Sequence, residues 1–343
     1  MQDIKEFDLK ELEAEFLSLG IKAYHARQVF SWIYKKGILD FKLMSDLSLV
    51  LKERLKERFY ISELKLLKVL KSADTTSKLL LALKDGSSIE AVIIPTRDRV
   101  TGCVSSQVGC KFACSFCASG ILGFKRNLSC GEIIDEVMHI RQEAPDKKLT
   151  NLVFMGTGEP LDNYDNVMKA IRIINSGQGF NIGARKITIS TSGVIPGIIK
   201  LSKEDMQVEL SVSLHAADDK LRSKIMPVNK KYPLKDLIRT CKEYSLETNR
   251  QVTFEYILIK DLNSSLKDAQ DLVRLLEGFK LSKINIIPFN PVKELSIRQA
   301  DEAAIKAFRD YLAKHGVHAI LRKGRGEDIS AACGQLRLDY ARK

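Results

Sequence analysis

The sequence predicts an α/β protein: an open, partial (β/α)6 barrel, preceded by a small helical accessory region and a β-hairpin extension. Two observations carry this expectation. Over residues 95–343, short apolar β-like runs alternate with segments of helical periodicity, the pattern of a parallel sheet covered by helices. Residues 1–94 lack that alternation and read as helices followed by a hairpin, so the expected domain boundary is 94/95. The units are too few for a closed eight-fold barrel, and active residues belong at the carboxyl ends of the strands.

The elements follow in chain order. Leu9, Leu12 and Phe16, then Val29, Phe30 and Ile33, then Leu47, Val50, Leu51 and Leu55 recur at helical spacing, with Gly20 and Gly37 where helix C-caps belong. These are three short helices, with Trp32 as a core residue. Leu64–Leu70, Leu79–Leu83 and Ile89–Ile94 read as strands turning at Asp85-Gly86. Strands are expected at Asn151–Met155, Lys186–Thr191, Val208–Ser213, Val252–Ile257 and Ile284–Pro288. Between and after them, helices are expected at Cys130–Gln142, Tyr164–Ile174, Leu234–Tyr244, Leu266–Leu276 and Glu302–His315.

No apolar run approaches the ~18 residues of a membrane helix, and the acidic N-terminus is unlike a secretory leader, so a cytoplasmic protein is expected. The net charge of +12 is spread along the chain, which suits a polyanionic partner as well as a merely soluble surface. Seven cysteines in a reducing compartment argue for metal or redox work rather than a disulfide framework.

Their spacing says more. Cys110, Cys114 and Cys117 stand at i, i+4 and i+7 in one short segment with no fourth ligand nearby. Structural zinc needs four ligands, so it would require a distant fourth; plain buried thiols are the other bland reading. A four-iron cluster held by three cysteines leaves one iron open to a small molecule. A strand then runs into Gly156-Thr-Gly158-Glu159-Pro160, which alone would be only a strand-to-helix connection.

At these residues the sequence resembles the radical S-adenosylmethionine (SAM) superfamily, whose motif is CxxxCxxC with an aromatic before the last cysteine, here Phe116. More narrowly, it resembles the RlmN family of adenine-C2 methyltransferases of 23S rRNA and tRNA. The match is carried by Cys103-Val-Ser-Ser-Gln-Val-Gly-Cys110, Ile189-Ser-Thr-Ser-Gly193, Leu210-Ser-Val-Ser-Leu-His215, Ile287-Pro-Phe-Asn-Pro291 and the segment Gly326–Leu336 around Cys333. Thr157 departs from the family, which usually has Met there, and Cys130 and Cys241 have no assigned role and are expected to pack.

The resemblance implies a [4Fe-4S] cluster on Cys110, Cys114 and Cys117, and S-adenosyl-L-methionine bound by Gly158, Glu159, Ser190, Ser213, Leu214, His215 and Asn290. It implies that Cys333 carries the methyl as S-methylcysteine, that Cys103 resolves the adduct through a transient disulfide with Cys333, and that Glu90 accepts a proton. A monomer fed by an electron donor such as flavodoxin or ferredoxin is expected, and residues 1–94 are expected to bind RNA, from their helix-then-hairpin pattern and their place before the barrel. His215 is not expected to be a general base. Radical chemistry suits the target, because carbon 2 of adenine is electron-poor and cannot attack a sulfonium methyl. Candidate phosphate contacts are Arg97, Arg99, Lys125, Arg126, Lys230, Lys231 and Arg322-Lys323-Gly324-Arg325, each of which is otherwise an ordinary surface charge. Two other readings stand beside this one: a sibling family that methylates carbon 8, and a non-catalytic metal-binding RNA module.

Overall fold

The computed structural model describes residues 1–121, 123–144, 149–291 and 295–336. Strand β1 (Gln2–Asp3) leads into helices α1 (Leu9–Ser18), α2 (Ala23–Tyr34) and α3 (Leu49–Arg58), and β2 (Phe59–Tyr60) returns to pair with β1 in parallel. Asp8 and Glu11 cap α1 reciprocally, satisfying two backbone N–H groups that the helix start leaves unpaired. Leu12, Phe16, Val29, Phe30, Ile33, Leu51 and Leu55 are buried as their spacing requires. Val50 is not: it is 73% exposed, because the α3 stripe is narrower than the apolar run in the sequence. Trp32 is also not a core residue. It is half-buried, its indole N–H donates to Asp46, and the Lys36 ammonium lies 3.2 Å from its ring centre.

Strands β3 (Lys65–Lys71), β4 (Ser77–Ala82) and β5 (Ser88–Pro95) form an antiparallel meander. It does not stop at a linker. β6 (Val100–Cys103) pairs antiparallel with β5 and parallel with a later strand, so the meander continues the core sheet across residues 94 and 95. A separate hairpin, β7 (Gln107–Gly109) with β8 (Phe124–Asn127), holds the short helix α4 (Ala118–Ile121) in its tip.

The remainder alternates as expected: α5 (Cys130–Glu143), β9 (Leu149–Phe154), α6 (Tyr164–Asn175), β10 (Ile187–Thr191), α7 (Ile195–Ser202), β11 (Glu209–Ser213), α8 (Asp219–Ile225), α9 (Leu234–Thr248), β12 (Val252–Leu258), α10 (Leu266–Leu275), β13 (Ser282–Pro288), α11 (Glu302–Lys314) and β14 (Ala319–Leu321). Among the described residues the sheet order is β3-β4-β5-β6-β9-β10-β11-β12-β13-β14, parallel from β6 onward, with β3 and β14 as its two edges. This is an open α/β sheet built from six β/α steps.

Helix α7 was not among the expected helices, and its Pro196 and Gly197 are weak helix formers. Pro196 lies in the first turn, where no backbone N–H is needed. Gly197 fits because an added Cβ would lie 2.6 Å from Leu161 Cβ.

The N-terminal helices share one hydrophobic core with the sheet. Polar ties reinforce the contact: Gly131 N–H donates to Glu6 at 2.9 Å, Lys169 pairs with Glu11 at 3.0 Å, and Lys5 makes a fully buried ion pair with Asp135 on α5. Lys5→Met is therefore expected to destabilise the protein by about 3–5 kcal/mol, since it strands a buried carboxylate. Lys5→Met/Asp135→Leu should recover most of that loss. Urea unfolding midpoints of the two variants check it, and equal midpoints would contradict it.

Candidate active site

The β7–β8 hairpin carries the cysteine loop at its tip. Cys110 N–H donates to Gly123 O at 3.2 Å, closing the loop, and Ser115 N–H donates to Ile225 O at 2.9 Å, tying it to α8. Cys110, Cys114 and Cys117 line one cavity of about 490 Å³ at the carboxyl ends of the parallel strands. Burial pushes the Cys110 thiol up to about 12 and the Cys114 thiol well above its ordinary range, with neighbouring thiols adding to the effect. These sulfurs become thiolates only with a cation to bind. Among the described residues no three His, Cys, Asp or Glu side chains converge as around a single ion. Three cysteines at i, i+4 and i+7 on one loop that faces the cavity fit a cluster in which each thiolate holds a separate iron.

Opposite the loop, β9 runs into the glycine turn. Gly158 has φ +110°, and an added Cβ would lie 2.6 Å from Gln107 Cβ; at Gly156 it would lie 2.7 Å from Val104 O. Only glycine lets the backbone pass here. Thr157 is fully buried and donates its N–H to Ser105 Oγ at 3.0 Å, so the departure from Met leaves Gly158 and Glu159 lining the cavity. The buried Glu159 carboxylate accepts from Ser192 N–H at 2.7 Å, Ser192 Oγ–H at 2.8 Å and Leu161 N–H at 3.0 Å. Burial raises its pKa, and the Ser192 donors oppose the rise. The turn thus offers a fixed carboxylate and backbone to a ligand amine.

Ser190, Ser213, His215 and Asn290, at the ends of β10, β11 and β13, line the same cavity. Leu214 does not: its side chain is fully buried in the core, its N–H donates to Glu255 O at 3.0 Å and its carbonyl accepts from Arg222 Nε at 3.0 Å. His215 Nδ1 accepts from Ile257 N–H at 3.1 Å, which puts the ring proton on Nε2. Burial, helped by the Arg222 charge, lowers its pKa to about 3. A neutral ring edge-on to Phe116, centroids 4.8 Å apart, suits contact with an aromatic ligand rather than proton transfer.

The C-terminal segment closes over these strands. Gly334 O accepts from Ala118 N–H at 2.7 Å, Asn290 Nδ2 donates to Cys333 O at 3.4 Å, and Gln335 Nε2 donates to Pro291 O at 2.6 Å. Cys333 lines the cavity and is open to solvent through it, with its thiol pushed up to about 11 by burial first and then by the Glu255 carboxylate. Cys103, at the end of β6, lines the same cavity and packs with Ala331 and Leu336. Burial, then the nearby Cys333, raises its thiol far above the ordinary range. All seven cysteines are free thiols, and Cys130 and Cys241 are fully buried, as expected.

Glu90 does not form part of the cavity lining, and it is not the surface residue that a strand Glu is by default. It is 3% exposed and paired with Lys78 at 3.2 Å, while Val92, two residues along β5, lines the cavity. Among the basic candidates, Arg99, Arg322, Lys323 and Arg325 line the mouth. Arg126 instead grips Asp85 at 2.9 Å and Glu132 at 2.7 Å, and Lys125 pairs with Asp85 at 3.3 Å. Arg97, Lys230 and Lys231 lie outside the lining.

Sequence reasoning passed over Glu255, in the lining, and Arg222, which braces the strand ends from outside it. Glu255 lines the cavity and accepts from Ser211 Oγ at 2.7 Å and Asn285 Nδ2 at 2.9 Å. A lone acid in the apolar run Val252–Leu258 was the available signal. Arg222 is fully buried and donates to Leu214 O, Ser213 O, Ser192 O and Asn229 Oδ1 at 2.7–3.0 Å, joining the ends of β10 and β11. Nothing local in the sequence marks it.

The family model of the radical SAM superfamily matches residues 104–276, from just before the cysteine loop through α10, and with the site it defines the class: a radical SAM enzyme. The model described as the ribosomal RNA large subunit methyltransferase N-terminal domain matches residues 2–61. The chain belongs to the RlmN family of dual-specificity RNA methyltransferases. It is 44% identical over the full length of both chains to a probable dual-specificity RNA methyltransferase RlmN of Thermoanaerobacter pseudethanolicus. It is also 44% identical, over 98% of each chain, to the dual-specificity RNA methyltransferase RlmN of Syntrophobacter fumaroxidans. A radical SAM methyltransferase crystal structure from Sphaerobacter thermophilus superposes with a TM-score of 0.93 at 42% identity, covering 98% of this chain and 99% of that one. The enzyme uses a [4Fe-4S] cluster and S-adenosylmethionine, and its substrates are RNA. No helix among the described residues is long and apolar enough to cross a membrane.

Proposed function

We propose that this enzyme methylates carbon 2 of one adenosine in 23S rRNA and one in tRNA, next to the anticodon, by ping-pong use of two S-adenosylmethionine molecules. The observation that carries this reading is the meeting of Cys103 and Cys333 in the cavity lined by the three cluster cysteines, since a plain methyl transfer needs neither thiol. The cluster and its bound cofactor supply the methyl group and a carbon-centred radical.

The chain's own residues do the rest. Cys110, Cys114 and Cys117 hold the cluster, and Gly158, Glu159, Ser190, Ser213, His215, Asn290 and the Leu214 backbone hold the cofactor. Cys333 carries the methyl to the base and stays bonded to it through sulfur. Glu90, two residues along β5 from the cavity-lining Val92, takes the proton that carbon 2 loses; Cys103 attacks the Cys333 sulfur, forming a disulfide as the carbon–sulfur bond breaks, and the released carbon takes up a proton to become the methyl group. Arg99, Arg322, Lys323 and Arg325 attract the RNA phosphates, and the target base leaves its stack to reach the cavity. Residues 1–94 add to RNA binding. The enzyme works as a monomer in the cytoplasm, fed electrons by a flavodoxin or ferredoxin.

Mass spectrometry of rRNA and tRNA nucleosides from cells with and without the gene tests the reading. The expected result is 2-methyladenosine in both RNAs, absent from the deletion strain. Loss of 8-methyladenosine instead would assign the enzyme to the sibling chemistry.

A further inference from the structure

Lys78 lies within β4 and is 3% exposed, yet it carries a charge. In the sheet it faces Val92, which faces Cys103 in turn, so the ammonium, a cavity-lining side chain and the resolving thiol form one cross-strand row. Its Nζ has two partners from distant parts of the chain. One is Glu90 Oε1, 3.2 Å away on β5; the other is Ser330 O, which accepts at 3.1 Å and lies three residues before Cys333.

Other contacts hold the same C-terminal segment without touching Glu90. Asp328 accepts from Ser72 Oγ–H at 2.5 Å and Ala73 N–H at 3.2 Å, and Gly326 N–H donates to Asp74 at 3.0 Å. Docking the segment does not by itself require a buried lysine. A buried charge persists where it is paired and its remaining donors are satisfied, and this one is spent on the acidic group and the carrier segment together.

We propose that Lys78 is a positioning residue of the methyl transfer, a single ammonium that orients Glu90 as proton acceptor and holds the Cys333 segment in register with it. The inference rests on the roles of Glu90 and Cys333 given above. In the step concerned, the carbon-2 proton passes to the Glu90 carboxylate, which becomes neutral, and the electron pair of that C–H bond stays with the ring. Lys78 keeps its protons and its charge throughout.

The test uses cluster-loaded enzyme and RNA bearing hydrogen or deuterium at carbon 2 of the target adenine. In Lys78→Met, methylation of Cys333 should proceed as in wild type. RNA methylation in a single turnover should fall about 100-fold, the size of a lost acid–base contribution, and deuterium should slow it further than in wild type. Lys78→Arg should restore most of the rate while still showing a raised isotope effect, which keeps the test decisive should Lys78→Met not fold. Asp328→Asn, which loosens the docking alone, should slow both RNAs equally. A folded Lys78 variant with the wild-type isotope effect, or the same rise in Asp328→Asn, would overturn the proposal. Glu90→Gln working at the wild-type rate would instead overturn the acceptor role beneath it.

Discussion

Cys103→Ala protein purified with its RNA should carry a nucleotide-sized adduct on the Cys333 peptide after nuclease digestion, and Cys333→Ala should carry neither adduct nor methyl. Product formation should fall at least about 1,000-fold in both, as when a covalent nucleophile is removed. The variants differ because the two thiols act at different moments. Without Cys333 there is no carrier, so nothing is transferred. Without Cys103 the carrier delivers its carbon, and no second thiol displaces the sulfur afterwards. The geometry supports the pairing: each thiol lines the same cavity, and Cys103 packs in one apolar cluster with Ala331 and Leu336, from the segment that carries Cys333. Free methylated adenosine at wild-type yield from either variant would refute the roles assigned to them, while leaving the cluster assignment standing.

Cys114→Ala should lose the cluster entirely. Iron and sulfide in anaerobically purified protein should drop to background, along with the brown colour and reductive cleavage of S-adenosylmethionine. Two cysteines cannot replace three here, because each thiolate holds a different iron of the cluster. Cys130→Ala and Cys241→Ala are the controls. Both side chains are fully buried in the apolar core away from the cavity lining, and both variants should keep full iron. Wild-type iron content in Cys114→Ala would overturn the ligand assignment.

Much of this fold was legible before the structure. The strands at Lys186–Thr191 and Val252–Ile257 and the helices at Cys130–Gln142 and Glu302–His315 fall within one or two residues of those observed. Periodicity is local, so a segment reveals it alone. Where local chemistry was ambiguous the reading failed: Pro196 and Gly197 hid α7, and the three-residue strand β14 was too short to show a pattern. The site followed the same rule. Cys110, Cys114, Cys117, Gly158 and Glu159 were legible because spacing and turn chemistry are written in consecutive residues.

What the sequence by itself determined, then, was the element order, the thiolate triplet, the glycine turn and, through resemblance, the family. The tertiary structure alone decided that the β3–β5 meander joins the core sheet, that Arg126 is occupied by Asp85 and Glu132, and that Arg222 and Glu255 serve the site. It alone brought Lys78 to Ser330, 252 residues away. The reason is physical: a buried charge is tolerable only where a partner of opposite sign or a hydrogen-bonding group meets it, and strand pairing and chain return decide which partner that is.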